Sequence, residues 1–336
     1  MMNFYKMLFL HSMTVGTLIS ISSMSWFSAW IGLEMNLLSL MPLLKEFKNK
    51  YSSEATMKYF IVQAMASAIF LFSIIIYLNS NNMTFDISII SSLMISSALM
   101  LKIGAAPFHF WFPEIMSGLN WEMNFIMMTW QKIAPMILLS YTTYLPIFLT
   151  IIIILSSMIS SIQGLNQICL RKIFAYSSIN HVSWMIAAIL NSSTIWLYYF
   201  IIYSFMNLNI IMIFWKFNIF YMNQLTKLFS FNKKMKFLFM LNFLSLGGLP
   251  PFLGFFPKWL TINYMIMNNY IFLATMLTIF TLLSLYFYIR ICFSSFTFNS
   301  EESLTCSFNN FMFYQFLINY FALMSLIICF ILFKFL

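Results

Sequence analysis

Charged residues are rare in this sequence. Only 7% of its 336 residues are Asp, Glu, Lys or Arg, and 62% are hydrophobic, whereas soluble domains carry about 25% charged residues. This composition excludes a soluble domain and indicates an integral membrane protein. No polar block of domain size interrupts the apolar runs, so we expect a single membrane domain over residues 1–336. The runs are about 20 residues long and lack strand-like alternation, which excludes an outer-membrane β-barrel.

Cysteine is also scarce. The four cysteines form no CxxC pair and have no histidine cluster beside them; they are Cys169, Cys292, Cys306 and Cys329. Neither a metal site nor a disulfide framework is therefore expected. The sequence also contains no nucleotide-binding loop and no haem signature, which argues against a redox centre in this chain.

The apolar runs predict an all-α polytopic membrane protein. Windows of about 20 apolar residues give eleven candidate membrane-spanning helices, at 8–24, 26–44, 59–78, 87–112, 122–142, 145–163, 173–191, 195–219, 237–266, 270–294 and 312–334. The fourth and ninth spans are too long for straight helices and contain both proline and glycine. We expect these two helices to be broken.

The order of the spans predicts an internal repeat. Residues 8–142 hold five spans and residues 145–294 hold the next five, so the second set is inverted relative to the first. The broken span is the fourth in each set, as in many secondary transporters. The span at 312–334 is then an extra C-terminal helix.

Acidic residues are few, and the net charge is +9. The basic residues cluster in short loops, such as 45–58 and 216–236, which indicates membrane topology and not nucleic-acid binding. Both loops fall on the N-terminal side of the predicted bundle. The positive-inside rule therefore predicts an N-terminus on a matrix-like side and a C-terminus on the opposite side. The first apolar segment is interpreted as a span and not as a signal or transit peptide.

Two lysines lie inside apolar segments. A charged lysine at the bilayer centre costs roughly 2.5 to 3.5 kcal/mol on insertion scales. Lys102 lies close to Gly104 and Pro107, and Lys132 lies close to Pro135. A lysine beside broken backbone indicates a site that handles ions. The structural alternative is a lysine near a helix end that extends to the headgroups.

A third lysine, Lys258, follows a second cluster of helix breakers. The cluster consists of Gly247, Gly248, Pro250 and Pro251. Proline removes a backbone donor, and a carbonyl freed at membrane depth must be buried in protein or face water. Each break therefore predicts a polar, hydrated cavity, although a packing kink is the structural alternative.

Few acids are available to neutralise these lysines. Glu34 is the carboxylate in the middle of a span, so we expect it to be protonated or paired, with Lys58 as its partner. Several deep lysines cannot all pair with one acid, so some are expected to hold loosely bound protons, as a proton relay requires. His109 and His181 are candidate intermediates, because imidazole titrates near neutral pH. A hydrogen-bonded structural role is the alternative for both histidines.

Four motifs carry a family resemblance. They are LKIGAAPFHFWFPE, TWQKIAP, LRKIFAYSSINHVSWM and LSLGGLPPFLGFFPKW. In this order they resemble the subunit 2 family of mitochondrial NADH:ubiquinone oxidoreductase (respiratory complex I), which is similar to subunits of Mrp-type cation/proton antiporters. The resemblance covers essentially the whole chain. Together with the residue usage, it indicates an insect or similar animal.

The resemblance implies a fold of inverted five-helix repeats and a proton pathway. The matching motif positions assign that pathway to Glu34, Lys58, Lys102, Lys132 and Lys258. It implies no cofactor in this chain, since NADH, FMN, the Fe–S clusters and ubiquinone bind elsewhere in the complex. The implied partners are other membrane-arm subunits, including further antiporter-like subunits, and lipids, but not nucleic acid. The implied location is the mitochondrial inner membrane, with the N-terminus in the matrix and the C-terminus in the intermembrane space.

Two features depart from the family pattern. Eleven spans are fewer than the fourteen of bacterial counterparts, and the sixth to eighth spans contain no mid-span acid or lysine. The second departure weakens the expectation of two equivalent half-channels. Two other functions remain open at this point: an independent cation/proton antiporter of the same fold, and a structural scaffold without its own proton path.

Overall fold

The computed structural model describes residues 4–46, 49–79, 85–142, 145–229, 233–250 and 252–297. Over these residues the protein is helical, apart from turns and one isolated antiparallel bridge between Cys169 and Tyr221. The chain divides into two compact units at Leu155/Ser156. This division lies inside a helix, about twelve residues after the boundary at 142–145 between the two predicted repeats.

Seven helices lie wholly within the described part of unit 1. They are α1 (Phe4–Ile21), α2 (Trp26–Leu44), α3 (Lys50–Asn79), α4 (Phe85–Ile103), α5 (Trp111–Gly118), α6 (Trp121–Met128) and α7 (Trp130–Ser140). Helix α2 packs against α1 and α3, and α4 packs against α3 and α7. These contacts gather α2, α3, α4 and α7 around one polar region of unit 1.

The helix α8 (Pro146–Leu165) contains the division between the units. The described part of unit 2 continues with α9 (Leu170–Asn191), α10 (Ser193–Phe217), α11 (Met222–Phe229), α12 (Lys233–Gly247), α13 (Phe255–Met267) and α14 (Ile271–Thr297). Helix α9 is the buried centre of this unit, because it packs against α10, α13 and α14. Edge-to-face contacts of Phe174 with Phe214 and Phe243 anchor it, with ring centroids 5.7 and 6.0 Å apart.

Seven of the described helices are long and apolar enough to cross a membrane: α1, α2, α3, α8, α9, α10 and α14. They coincide with seven of the predicted spans. Three more predicted spans are each divided into two shorter helices, and the span at 312–334 lies outside the described residues. The several spans confirm a polytopic helical membrane protein, while the count of eleven and the inverted repeats stay predictions.

Serine caps fix the start of two spans. The Ser25 hydroxyl accepts the backbone N–H of Ser28 at 3.2 Å, and the Ser28 hydroxyl accepts that of Ser25 at 3.4 Å. This capping box satisfies donors that the first turn of α2 leaves unpaired. In the same way, the Ser192 hydroxyl accepts the N–H of Ile195 at the start of α10.

The fifth predicted span, 122–142, is divided at Thr129 into α6 and α7. We expected Pro135 to break this span, but Pro135 lies inside α7. A proline ring collides with the carbonyl four residues earlier, here that of Gln131, so Pro135 distorts the first turn of α7 and does not itself end a helix. The Thr129 hydroxyl also donates to the carbonyl of Phe125 at 2.7 Å, which stabilises the end of α6.

Candidate functional site

The first broken helix ends directly after Lys102. Gly104 has a positive φ of 79°, a conformation that glycine adopts without steric cost. The N–H of Gly104 donates to Leu101 O at 3.2 Å, and the N–H of Ala105 donates to Met100 O at 3.1 Å. These two bonds form a Schellman motif, which ends α4 and places Lys102 in its last turn.

Lys102 is buried within the protein, with 7% of its surface exposed. The side-chain amide of Gln63 donates to the Lys102 carbonyl at 3.4 Å and so caps the C-terminal end of α4. Glu34, which is half-buried on α2, attracts the positive charge of Lys102. The negative end of the α4 dipole also favours a cation at this position.

Lys132 lies at the N-terminal end of a helix, whereas Lys102 lies at a C-terminal end. It is the third residue of α7, directly after the break at Thr129, and it is 2% exposed. Its ammonium nitrogen lies 5.5 Å from the centre of the Phe112 ring. The positive end of the α7 dipole disfavours a cation here. The two lysines therefore meet opposite fields from the helices that carry them.

Lys102 and Lys132 line the same cavity, which has a volume of about 20 Å³. The helices α2, α3, α4, α6 and α7 and the first turn of α5 contribute its lining, namely Leu33, Asn36, Leu37, Tyr59, Gln63, Lys102, Ile103, Trp111, Phe112, Met127, Gln131, Lys132 and Pro135. A cavity needs about 10–15 Å³ to hold one water molecule. The polar lining and the volume together fit a single hydrated contact between the two lysines.

Neutral polar side chains connect the walls of this cavity. Gln131 Nε2 donates to Asn36 Oδ1 at 3.0 Å, and the Tyr59 hydroxyl lies 3.5 Å from Gln131 Oε1. These three residues were not predicted from the sequence. One signal was present: Asn36 is two residues from Glu34, and Gln131 is next to Lys132. Neutral polar residues beside a buried charge are therefore worth including among site candidates.

Lys58 has a different partner from the one that the sequence predicted. It donates to Glu114 Oε2 at 2.5 Å, and both side chains are more than half exposed. The pair joins the start of α3 to α5. Glu34 interacts electrostatically with Lys102 instead. The expectation that Glu34 pairs with Lys58 is thus corrected, because α5, which follows the first break, packs against α3 and brings Glu114 to Lys58.

The Lys58–Glu114 pair is expected to contribute little stability. Exposed ion pairs are worth about 1 kcal/mol or less, because water screens them and ordering two side chains costs entropy. Glu114→Gln should therefore leave the thermal unfolding temperature of the purified protein nearly unchanged, and Lys58→Met should match it. A large decrease in that temperature for either variant would show that the pair holds α3 and α5 together.

His109 lies in the segment between α4 and α5 and is fully buried. Its Nδ1 lies 3.3 Å from the carbonyl of Pro107, and its ring packs at a tilt against Phe110 with centroids 4.4 Å apart. It is not part of the cavity lining. The structure therefore places His109 near the break at Gly104 but outside the wall that Lys102 and Lys132 share.

The second broken helix ends in the same way as the first. Gly248 has a φ of 76°. Its N–H donates to Ser245 O at 3.0 Å, and the N–H of Leu249 donates to Leu244 O at 3.4 Å. This is again a Schellman motif. Gly247 is the last residue of α12, and the chain resumes as a helix at Phe255.

Lys258 closes over this second helix end. It lies in the first turn of α13, and its ammonium nitrogen donates to the carbonyl of Gly247 at 2.9 Å. It is 7% exposed and lies 5.9 Å from the centre of the Trp184 ring. The expected interruption of the ninth span is thus present, and Lys258 is buried in unit 2. Pro250 lies in the interruption, and Pro251 lies outside the described residues.

His181 belongs to a polar group on α9 and α10. Its Nδ1 lies 2.9 Å from the Tyr199 hydroxyl, and its ring packs 4.9 Å from that of Tyr203. Nearby, the Asn180 amide donates to the Ser284 hydroxyl of α14 at 2.9 Å. His181 and Trp184 lie one turn apart on α9. The seventh and eighth predicted spans, which have no mid-span acid or lysine, thus contain buried polar side chains of other types.

The fold and the two sites together define a class of protein: a polytopic helical membrane protein with lysines buried at the ends of interrupted helices. Ionisable residues inside membrane segments are costly to bury and mark candidate functional sites. Comparison with known proteins agrees with this class. The family model described as NADH:quinone oxidoreductase/Mrp antiporter, TM, matches residues 23–284.

Individual relatives show the same family. The NADH-ubiquinone oxidoreductase chain 2 of Anopheles gambiae is 48% identical over 307 residues, which cover 90% of this chain and 89% of that protein. The corresponding chain of Locusta migratoria is 46% identical and covers 87% of this chain and 86% of its own. A chain in the solved structure of respiratory complex I from Thermus thermophilus with bound Aureothin has the same fold, with a TM-score of 0.82, 22% identity and coverage of 89% and 72%. This protein belongs to the NADH:quinone oxidoreductase/Mrp antiporter family.

Proposed function

We propose that this protein is the antiporter-like chain 2 of mitochondrial respiratory complex I and that it translocates protons across the inner membrane. The similarity to NADH-ubiquinone oxidoreductase chain 2 over nine-tenths of the chain supports its place in that complex. One structural observation supports proton transfer: two buried lysines from different helices line one small polar cavity. A purely structural bundle gains nothing from two such lysines, since each costs free energy to bury.

The proposed pathway in unit 1 uses Glu34, Lys102 and Lys132 as successive charge sites. An ionised Glu34 attracts a proton on Lys102, and a neutral Glu34 releases that attraction, so the proton can move to Lys132. Lys58 is proposed to act before them, as an exposed lysine whose charge the ion pair with Glu114 balances. His109 is proposed as an accessory residue near the first break.

The proposed pathway in unit 2 uses Lys258, with His181 as an accessory site. Support comes from the hydrogen bond of Lys258 to the Gly247 carbonyl and from the buried His181–Tyr199 pair. Each unit has a lysine beside a Schellman motif, at Lys102 and at Lys258. This likeness supports the proposal of two inverted repeats, at 8–142 and 145–294, followed by a helix at 312–334.

The energy for translocation is proposed to come from outside this chain. NADH oxidation and ubiquinone reduction, with FMN and Fe–S clusters, belong to other parts of complex I in this proposal, and this chain binds no cofactor. Its partners are then further membrane-arm subunits, other antiporter-like subunits among them, and lipids. The positive-inside rule supports an N-terminus in the matrix and a C-terminus in the intermembrane space.

Replacing Lys102 tests the proposal in assembled complex I. Lys102→Met is expected to lower NADH-driven proton pumping several-fold per assembled complex, because it removes a proton acceptor from the cavity. The measurement is acidification of inverted inner-membrane vesicles, with the amount of complex determined on native gels. Lys50→Met is the matched control, since Lys50 is exposed at the start of α3.

The same experiment separates the alternatives. A scaffold without a proton path predicts normal pumping in assembled Lys102→Met complex. An independent cation/proton antiporter predicts ion exchange by the protein when it is reconstituted alone in vesicles, and no loss of NADH-driven pumping. A complex that assembles and pumps normally with Lys102→Met would therefore contradict the proposed function.

A further inference from the structure

The hydrogen bonds in the unit 1 cavity are uneven in strength. Gln131 Nε2 donates to Asn36 Oδ1 at 3.0 Å, which is an ordinary hydrogen bond. The Tyr59 hydroxyl lies 3.5 Å from Gln131 Oε1, well beyond the usual O–H···O distance of about 2.7 Å. Asn36 therefore fixes the amide nitrogen of Gln131, while the amide oxygen keeps the capacity to accept a stronger hydrogen bond.

A second feature of the same cavity is a buried donor. Trp111 lines the cavity, and its indole N–H donates to no acceptor among the residues that the structure describes. Buried donors of this kind usually bond to ordered water when no protein acceptor is near. The cavity volume of about 20 Å³ accommodates one water molecule and not a chain of them.

We propose that one water molecule in this cavity carries protons between Lys102 and Lys132, and that Gln131 positions this water. The inference rests on the proposed function and adds residues that the pathway above does not contain. Asn36 acts through Gln131, because it holds the amide in the orientation that presents Oε1 to the cavity. Asn36 and Gln131 are thus positioning residues, and the lysines exchange the proton.

The transfer step balances in protons and charge. Protonated Lys102 donates to the water oxygen, and one water O–H donates to the neutral amine of Lys132. An N–H bond of Lys102 breaks as an O–H bond forms, and another O–H bond breaks as an N–H bond forms on Lys132. The water ends unchanged, and one positive charge has moved between the lysines. The remaining water O–H donates to Gln131 Oε1, and the Trp111 N–H donates to the water oxygen.

Gln131→Met tests this arrangement, because methionine keeps the length of the side chain and removes both the oxygen and the nitrogen of the amide. We expect proton pumping per assembled complex to fall about threefold, less than for Lys102→Met, as for the loss of one modest positioning hydrogen bond in a transfer step. The solvent deuterium isotope effect on pumping should rise, because transfer through water becomes the slow step. Gln167→Met is the matched control, since Gln167 lies outside the cavity lining.

Asn36→Leu is expected to lower pumping by a smaller factor, and the double variant should pump no more slowly than Gln131→Met alone. This non-additivity follows if Asn36 acts only through Gln131. Independent packing defects would add instead, and they would lower assembly without changing the isotope effect.

The outcomes separate this inference from the proposed function. If Gln131→Met has the pumping rate and isotope effect of the wild type while Lys102→Met loses pumping, the proposed water positioned by Gln131 is contradicted and the lysine pathway is retained. Normal pumping in both variants would overturn the proposed function as well. A density map of the native complex provides a direct check, since a water peak within hydrogen-bond distance of Gln131 Oε1 is expected in this cavity.

Discussion

Lys132→Met is expected to reduce NADH-driven proton pumping about tenfold or more, as for the loss of a general acid–base group, while complex I still assembles. Methionine has a similar length and suits an apolar interior. Removing the ammonium also removes its burial cost of roughly 2.5 to 3.5 kcal/mol, so folding is not penalised. The measurement is vesicle acidification per assembled complex, with coupled NADH:ubiquinone activity recorded in parallel. Normal pumping by the assembled variant would remove Lys132 from the pathway.

Lys132→Arg distinguishes a proton carrier from a fixed charge at the same position. A guanidinium remains protonated in proteins, so arginine keeps the positive charge but cannot release a proton. We expect Lys132→Arg to lose pumping as Lys132→Met does. Full pumping with arginine would instead show that the site needs only a positive charge beside Phe112.

The sequence was sufficient to predict the interruptions after Lys102 and before Lys258. Both interruptions depend on local residue types, since Gly104 and Gly248 adopt positive φ and prolines follow them. The division at Thr129 was not predictable in the same way, because Thr129 is neither glycine nor proline, and Pro135, the expected breaker, lies six residues further on inside α7. The helix propensity of the sequence thus predicts roughly where a helix is interrupted, and tertiary packing determines at which residue the interruption lies.

The site was predictable only in its charged members. A lysine in an apolar run is rare enough to stand out, and so Lys102, Lys132 and Lys258 could be named from sequence. Tyr59 and Gln131 could not, because neutral polar residues are common in spans and their meeting requires α3 and α7 both to pack against α4. The Lys58–Glu114 pair joins residues 56 positions apart, and nothing local to either residue indicates that contact.

Gly248→Ala is expected to lower pumping about tenfold, comparable to removing a positioned proton-transfer group. An added Cβ would lie 2.8 Å from Lys258 Cδ and 2.9 Å from its Nζ, and the residue has a φ of +76°. Non-glycine residues in this left-handed conformation cost about 1–2 kcal/mol. The lysine end is flexible, so it can move away and the helix pair can persist. Lys258 then loses its hydrogen bond to the Gly247 carbonyl.

Gly247→Ala is the matched control for this variant. A Cβ on Gly247 would meet Leu285 at 3.5 Å, an ordinary contact, and the residue is helical. The substitution leaves the carbonyl that accepts from Lys258 in place, so assembly and pumping should stay close to wild type. Both variants are compared by native gels, thermal unfolding and vesicle acidification. Equal pumping by the two variants would show that proton transfer does not depend on the position in which Gly248 holds Lys258. Loss of assembly in Gly248→Ala alone would show that the Lys258 side chain cannot move away from the added Cβ and that the glycine is needed for folding.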